Sequence, residues 1–316
     1  MKVLVTGGAG FIGSHIVDAL VNEGHDVAVV DDLSMGKREQ VHPSARFYQA
    51  DIRNRQALEE VFRVERPEVV NHHAAQADLR RSMTEPSFDA SVNIVGSLNL
   101  LEFAMTHKTR KFVNISSGGA VYGEPQRLPV DELHPIHPMS VYGVSKYAVE
   151  QYLRLFNKSG LDYTTLRYAN VYGPRQNPKG EAGVVAIFSR QMLAGERSTI
   201  FGDGTKTRDY VYIDDIVRVN LLAMTEKRAA GRSYNVGLGC EVSDRQIFEA
   251  VRGAVGATLE PMLASKRPGE IDRICLDASL AKTELGWEPT VFLKEGIARS
   301  VAFYRVDGSC RVRESR

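Results

Sequence analysis

A chain of 316 residues with 43% hydrophobic and 25% charged side chains has an ordinary globular composition and is long enough to bury a sizeable core. A net charge of +1 argues against a broad nucleic-acid or membrane surface, so an anionic ligand must be held by local groups. No apolar run is long enough to span a membrane and no leader-type segment follows Met1-Lys2; the cysteines (Cys240, Cys275, Cys310) are odd in number and far apart, which points to a reducing, cytoplasmic setting.

Lys2 to Thr6 is a short apolar, β-branched run that ends in Thr6-Gly-Gly-Ala-Gly-Phe-Ile-Gly13. A helical pattern follows through Ile16, Val17, Leu20 and Val21 to Gly24, and Val27 to Val30 predicts a second buried strand ending at Asp31-Asp32. Strand, glycine turn, helix, strand and acid form the layout of a dinucleotide-binding unit. Gly7, Gly10 and Gly13 let the backbone approach a pyrophosphate, whose charge lies at the helix N-terminus beside Phe11 and Ile12. Asp31, with Asp32 next to it, is placed for a ribose 2′-hydroxyl and would repel a 2′-phosphate, which favours NAD over NADP.

Arg46 to Gln49 predicts a third strand, with Asp51 and Ile52 at its carboxyl end as candidates to flank an adenine. A helix from Arg55 to Val64 and a fourth strand from Glu68 to Asn71 lead into His72-His-Ala-Ala-Gln76. Ala74 and Ala75 are small enough for a nicotinamide ribose to lie close, with Gln76 beside them. The paired histidines lack further ligands at metal-binding spacing and are read as structural, so no metal is expected. Phe88 to Thr106 predicts one long helix carrying Asn93 toward the cofactor cleft. The fifth strand, Lys111 to Ile115, runs into Ser116-Ser117-Gly118-Gly119, hydroxyls suited to polarising a substrate oxygen or touching the cofactor. Pro125 to Pro138 reads as a loop, and Val141 to Phe156 as a helix. On it, Tyr142 and Lys146 share one face a turn apart, where an ammonium can lower the phenol's pKa and make it a general base.

Tyr163 to Tyr168 predicts a sixth strand, with Tyr168 at the cofactor cleft, after which the chain leaves the first domain. Tyr210 to Ile213 reads as a strand returning to it, followed by a helix capped by Asp214-Asp215; Ser243 caps another. Helical patterns at Ala278 to Leu285 and Leu293 to Tyr304 complete the chain before a loose tail at 308–316. Trp287 is expected in the core or on a subunit surface. The division expected is 1–168 with 209–236 for the cofactor, and 169–208 with 237–307 for the substrate.

The glycine motif, Asp31, Ser116-Ser117 and Tyr142-x-x-x-Lys146 together resemble the extended short-chain dehydrogenase/reductases, and among them the NAD-dependent nucleotide-sugar epimerases and dehydratases, most of all the UDP-glucose (galactose) 4-epimerases. Leu166-Arg-Tyr-Ala-Asn-Val-Tyr-Gly-Pro-Arg175, Ile200-Phe-Gly-Asp-Gly204, Thr207-Arg-Asp-Tyr210 and Arg267-Pro-Gly-Glu270 extend the likeness over nearly the whole chain. The resemblance implies an α/β fold, a Rossmann-type doubly wound parallel sheet with a smaller C-terminal substrate domain. It implies NAD as a retained cofactor, a UDP-sugar as substrate, and a homodimer formed through the helices Phe88–Thr106 and Val141–Phe156. Tyr142 takes the proton of the sugar 4-hydroxyl as C4 is oxidised, Lys146 holds the nicotinamide ribose, and Ser117 is the hydroxyl partner, because the family's usual position falls on Gly118. Asn170 and the arginines 208 and 267 contact phosphate; Gly183, Val184 and Phe201 lie by the nucleotide; Glu270 takes the uridine ribose and Ile274 limits the sugar pocket. A dehydratase or decarboxylase is disfavoured, because Gly119 and Ala120 stand where dehydratases carry an Asp-Glu pair; a nucleotide-binding regulator is the non-enzymatic rival.

Overall fold

The computed structural model describes residues 1–178, 183–267 and 271–307; the expectations for Glu270 and the tail at 308–316 lie outside the described residues. Short β-branched runs separated by amphipathic helices make a parallel sheet, because a parallel pair needs a crossover and the helix supplies it. Six strands come first: β1 (Lys2–Thr6), β2 (Asp26–Asp31), β3 (Arg46–Gln49), β4 (Val69–His72), β5 (Lys111–Ser117) and β6 (Asp162–Tyr168). The short β7 (Asn170–Tyr172), β8 (Thr199–Phe201), β9 (Thr207–Arg208) and β10 (Tyr210–Tyr212) follow, then β11 (Arg232–Val236), β12 (Val242–Ser243) and β13 (Met262–Ala264). The main sheet runs β11-β6-β5-β4-β1-β2-β3, all neighbours parallel. Strand order switches between β1 and β4, so a crevice for ligand opens there at the carboxyl ends.

Period-two alternation sends side chains to both faces of this sheet. Val3, Val5, Val27 and Val29 join one apolar layer with α1 (Phe11–Asn22), while Leu4, Ala28 and Val30 join the other with α2 (Arg55–Glu65). After α3 (Leu79–Thr84) the chain forms α4 (Pro86–Ala90) and α5 (Ser97–Thr106). The single helix expected over 88–106 is interrupted by a π-helical turn, Ser91–Gly96. The wider turn carries Asn93 and brings Gly96 against Ile52, so close that a Cβ on Gly96 would lie 2.6 Å from the Ile52 side chain.

The one-turn α6 (Gly118–Val121) and the long α7 (Val141–Lys158) flank the carboxyl end of β5. Beyond them lie α8 (Val184–Leu193), α9 (Ile213–Thr225), α10 (Asp244–Val255), α11 (Ser279–Leu285) and α12 (Leu293–Val306). The expected return strand at Tyr210–Ile213 does not join the main sheet: β10 pairs with β7, and β11 takes the free edge of β6 over five residues. Trp287 is core, 1% exposed, with its indole N–H donated to the Asp215 carbonyl at 2.9 Å. No helix among the described residues is long and apolar enough to cross a membrane.

Candidate active site

Local sequence brings Tyr142 to the end of β5. The Ser140 hydroxyl caps α7 by accepting the Gly143 N–H at 3.1 Å. Gly143 then lets the helix press on α6, since a Cβ there would lie 2.4 Å from the Ala120 carbonyl oxygen. The result sets the half-buried Tyr142 phenol in a hydrogen bond with the Ser117 hydroxyl. Gly118 is turned away, toward Leu276, whose Cδ1 would lie 2.5 Å from a Cβ at that position. Gly118 carries no hydroxyl, and the one beside Tyr142 is that of its neighbour Ser117.

Lys146 is buried one turn further on; its Nζ donates to the Ile115 carbonyl at 2.9 Å and lies 5.9 Å from the centroid of the Tyr142 ring. Burial pushes the Lys146 ammonium down to about 8, against the opposing charges of Asp89 and Glu150. Burial raises Tyr142 above its ordinary value, Asp89 adds to the rise, and the force that lowers it is the Ser117 hydrogen bond. Spacing puts the cation within reach of the phenol, and one of its three N–H groups is given to the Ile115 carbonyl.

Two buried acids behind the pair were not singled out from sequence. Asp89 is fully buried and accepts from Ser145 Oγ at 2.6 Å and from the Gln76 and Asn93 side-chain amides at 3.0 Å. Glu150 accepts from Ser116 Oγ at 2.6 Å and from the Arg167 guanidinium at 2.6 Å, and Arg167 in turn donates to the Tyr122 hydroxyl at 2.7 Å. The available signal was helical spacing: Asp89 and Asn93 stand one turn apart, and Glu150 follows Lys146 by one turn on a face otherwise apolar.

On the cofactor side the glycine turn has the shape a pyrophosphate requires. Gly7 has φ +70°, and a Cβ on Gly13 would lie 2.2 Å from the Gly7 carbonyl oxygen. Gly10 caps α1 without a side-chain partner, which leaves Phe11 and Ile12 at a bare helix N-terminus. Asp31 ends β2, buried, with its carboxylate accepting the Ala9 N–H at 3.0 Å and the Leu33 N–H at 2.8 Å. Burial raises its pKa. A carboxylate retains further acceptor sites after those bonds, so the turn and acid fit a dinucleotide. Gly7 also touches the segment that follows β4: a Cβ there would lie 2.6 Å from the Ala74 nitrogen, which brings Ala74 and Ala75 to the same crevice.

Several other candidates are engaged elsewhere. Asp32 is exposed and closes an Asx turn with Ser34, and Asp51 pairs with Arg53. Asn93 exchanges both amide groups with the Gln76 backbone, at 2.8 and 2.9 Å, so it shapes the loop after β4. The Gln76 side chain turns to Asp78 and Asp89, Ser116 to Glu150, and the Tyr168 hydroxyl accepts from Asn220 at 2.6 Å. Of the paired histidines, His72 bridges Thr6 and Ser97, and burial keeps both His72 and His73 well below the usual range.

On the substrate side, Asn170 comes to Gly119, where its Oδ1 would lie 3.8 Å from a Cβ. Gly183 caps α8 and Val184 opens it, while Arg267 stacks on the Phe201 ring with its guanidinium carbon 3.8 Å from the centroid. Arg208 on β9 donates to its own neighbour's carbonyl, Thr207, at 2.8 Å. Ile274 is buried with Val121, Tyr122, Val130 and Leu276.

Residues 3–237 match the sequence profile of the NAD dependent epimerase/dehydratase family. A UDP-glucose 4-epimerase of Mycolicibacterium smegmatis is 47% identical over 96% of this chain and 99% of its own length. The crystal structure of UDP-glucose 4-epimerase with UDP-glucose from Thermotoga maritima superposes with a TM-score of 0.95 at 48% identity, covering 96% of this chain and 99% of that one. A Thermus thermophilus UDP-glucose 4-epimerase in complex with NAD superposes with a TM-score of 0.92 at 43% identity, covering 97% and 99%.

Proposed function

The chain belongs to the NAD dependent epimerase/dehydratase family, and from that premise we propose that it interconverts UDP-glucose and UDP-galactose by epimerisation at the sugar C4, with NAD as its cofactor. The observation that supports the reading is the Ser117–Tyr142–Lys146 cluster at the carboxyl end of β5, in the same parallel sheet whose β1 ends in the glycine turn. Bound NAD supplies the reversible two-electron oxidation and reduction at C4. Tyr142 holds or releases the proton of the 4-hydroxyl, Ser117 favours its ionised form by hydrogen bonding, and Lys146 presents its ammonium at the cofactor side. Gly7, Gly10 and Gly13 cradle the pyrophosphate and Asp31 takes a ribose hydroxyl. Asn170, Arg208 and Arg267 hold the substrate diphosphate, where a planar guanidinium suits paired phosphate oxygens. Gly119 and Ala120 supply no acid or base for eliminating water, which favours epimerisation over dehydration.

The same premise supports a homodimer through α5 and α7. Val144, Tyr152 and Leu155 recur at helical spacing on the outer face of α7 and are exposed, while Val149 and Leu153 on the opposite face are buried. The assay for function is direct. Purified protein incubated with UDP-galactose, UDP-N-acetylgalactosamine, UDP-glucuronate or dTDP-glucose, without added cofactor, is expected to yield UDP-glucose from UDP-galactose by NMR. A 4-keto-6-deoxy product, or no turnover with NAD retained, would overturn the reading.

A further inference from the structure

Asp89 is a buried charge whose partners, among the described residues, are all neutral. It is 0% exposed; Oδ1 accepts from Ser145, and Oδ2 from Gln76 and Asn93. Both oxygens accept and neither donates, the pattern of an ionised carboxylate. Burying such a charge with amide and hydroxyl partners alone is expensive, and an asparagine could satisfy much of the same geometry. The expense is understandable if the charge acts on a neighbour. Ser145, its closest partner, directly precedes Lys146 on α7, and Asp89 belongs to α4, packed beneath that turn.

The other groups facing Lys146 do not substitute for it. Glu150 on α7 also favours the Lys146 ammonium, but it is paired to Arg167 and does not act on Tyr142. His72 and His73 at the end of β4 are held uncharged by burial. Tyr142 is faced by Asp89 and by the neutral Ser117 hydroxyl. Asp89 is therefore the one uncompensated charge among these groups acting on both members of the pair.

We propose that Asp89 is a positioning residue that sets the charge state of the Tyr142–Lys146 pair, holding Lys146 as an ammonium and Tyr142 as a protonated phenol until substrate and cofactor are in place. Removing its negative charge favours the ammonia form of Lys146 and the phenolate of Tyr142, so both groups titrate at lower pH. This inference rests on the assignment of Tyr142 and Lys146 as the working pair.

Two measurements test it. In the kcat/KM pH profile for UDP-galactose, Asp89→Asn is expected to move the limbs to lower pH by about one unit, the size of effect one charge has at close range inside a protein. A loss of rate with the limbs unmoved would mean a structural role and overturn the proposal. The second readout needs no activity: Tm for the parent, Asp89→Asn, Lys146→Met and the double variant. Asp89→Asn is expected to lower Tm in the parent but to leave it unchanged or raise it in Lys146→Met, where the carboxylate has lost its cation. An equal drop in both backgrounds sinks the charge coupling, and should Asp89→Asn alone fail to fold, the Lys146→Met pair still decides. If no sugar nucleotide is turned over while the thermal coupling is found, the functional reading has failed and the Asp89 assignment stands.

Discussion

Tyr142 and Ser117 carry the chemistry at the scale of single residues, and their coupling has a sign. The Ser117 hydroxyl is what lowers the phenol against burial. Ser117→Ala is therefore expected to lower kcat by about 10²-fold and to move the Tyr142 limb of the pH profile to higher pH, opposite to Asp89→Asn. Tyr142→Phe is expected to abolish turnover while NAD is retained, measured as cofactor released on denaturation. Near-normal turnover in Tyr142→Phe would move the proton transfer elsewhere, and in Ser117→Ala it would mean that a water or Tyr142 alone suffices. Tyr142 and Lys146 were legible in the sequence because helical spacing fixes which side chains share a face. The anchoring of the Lys146 ammonium was not, since the Ile115 carbonyl that accepts one of its N–H groups lies on another element, 31 positions away.

Elements meet at this site through missing side chains. Gly143 gives α7 its approach to α6, and Gly7 gives the first turn its approach to Ala74. In Gly143→Ala the added methyl meets a backbone oxygen that cannot rotate away, so α7 must withdraw from α6. The expected cost is about 1–3 kcal/mol, read from urea unfolding, together with lost activity because Tyr142 moves off Ser117. Unchanged stability and activity would show that α7 can settle without that approach. The π-turn at Ser91–Gly96 is an element-scale feature that periodicity could not reveal. Its apolar positions still suit a helix, and the extra residue in the turn is set by Ile52 packing on Gly96 and Asn93 binding the Gln76 backbone.

The whole molecule is a parallel sheet whose switch point gathers the glycine turn, Asp31 and the end of β5 at one edge. Its outer α7 face leaves apolar side chains in solvent, with Leu155 58% exposed. If that face is the dimer contact, Leu155→Arg is expected to convert a dimer to a monomer in analytical ultracentrifugation without changing the far-UV CD. A parent protein that sediments as a monomer at micromolar concentration removes the dimer.

The sequence by itself determined the strand–helix alternation, the dinucleotide turn and the Tyr142–Lys146 pair, because each depends on residues close along the chain. Tertiary structure alone decided what packs beside Gly118. Leu276, far along the chain, occupies the space beside Gly118, while the hydroxyl at Tyr142 is that of Ser117. It also decided that Ser116, Gln76, Asn93 and Tyr168 serve buried hydrogen-bond networks, and that Asp89 lies beneath the pair. Buried polar groups must find partners wherever packing brings them, and no local pattern in a sequence records who those partners are.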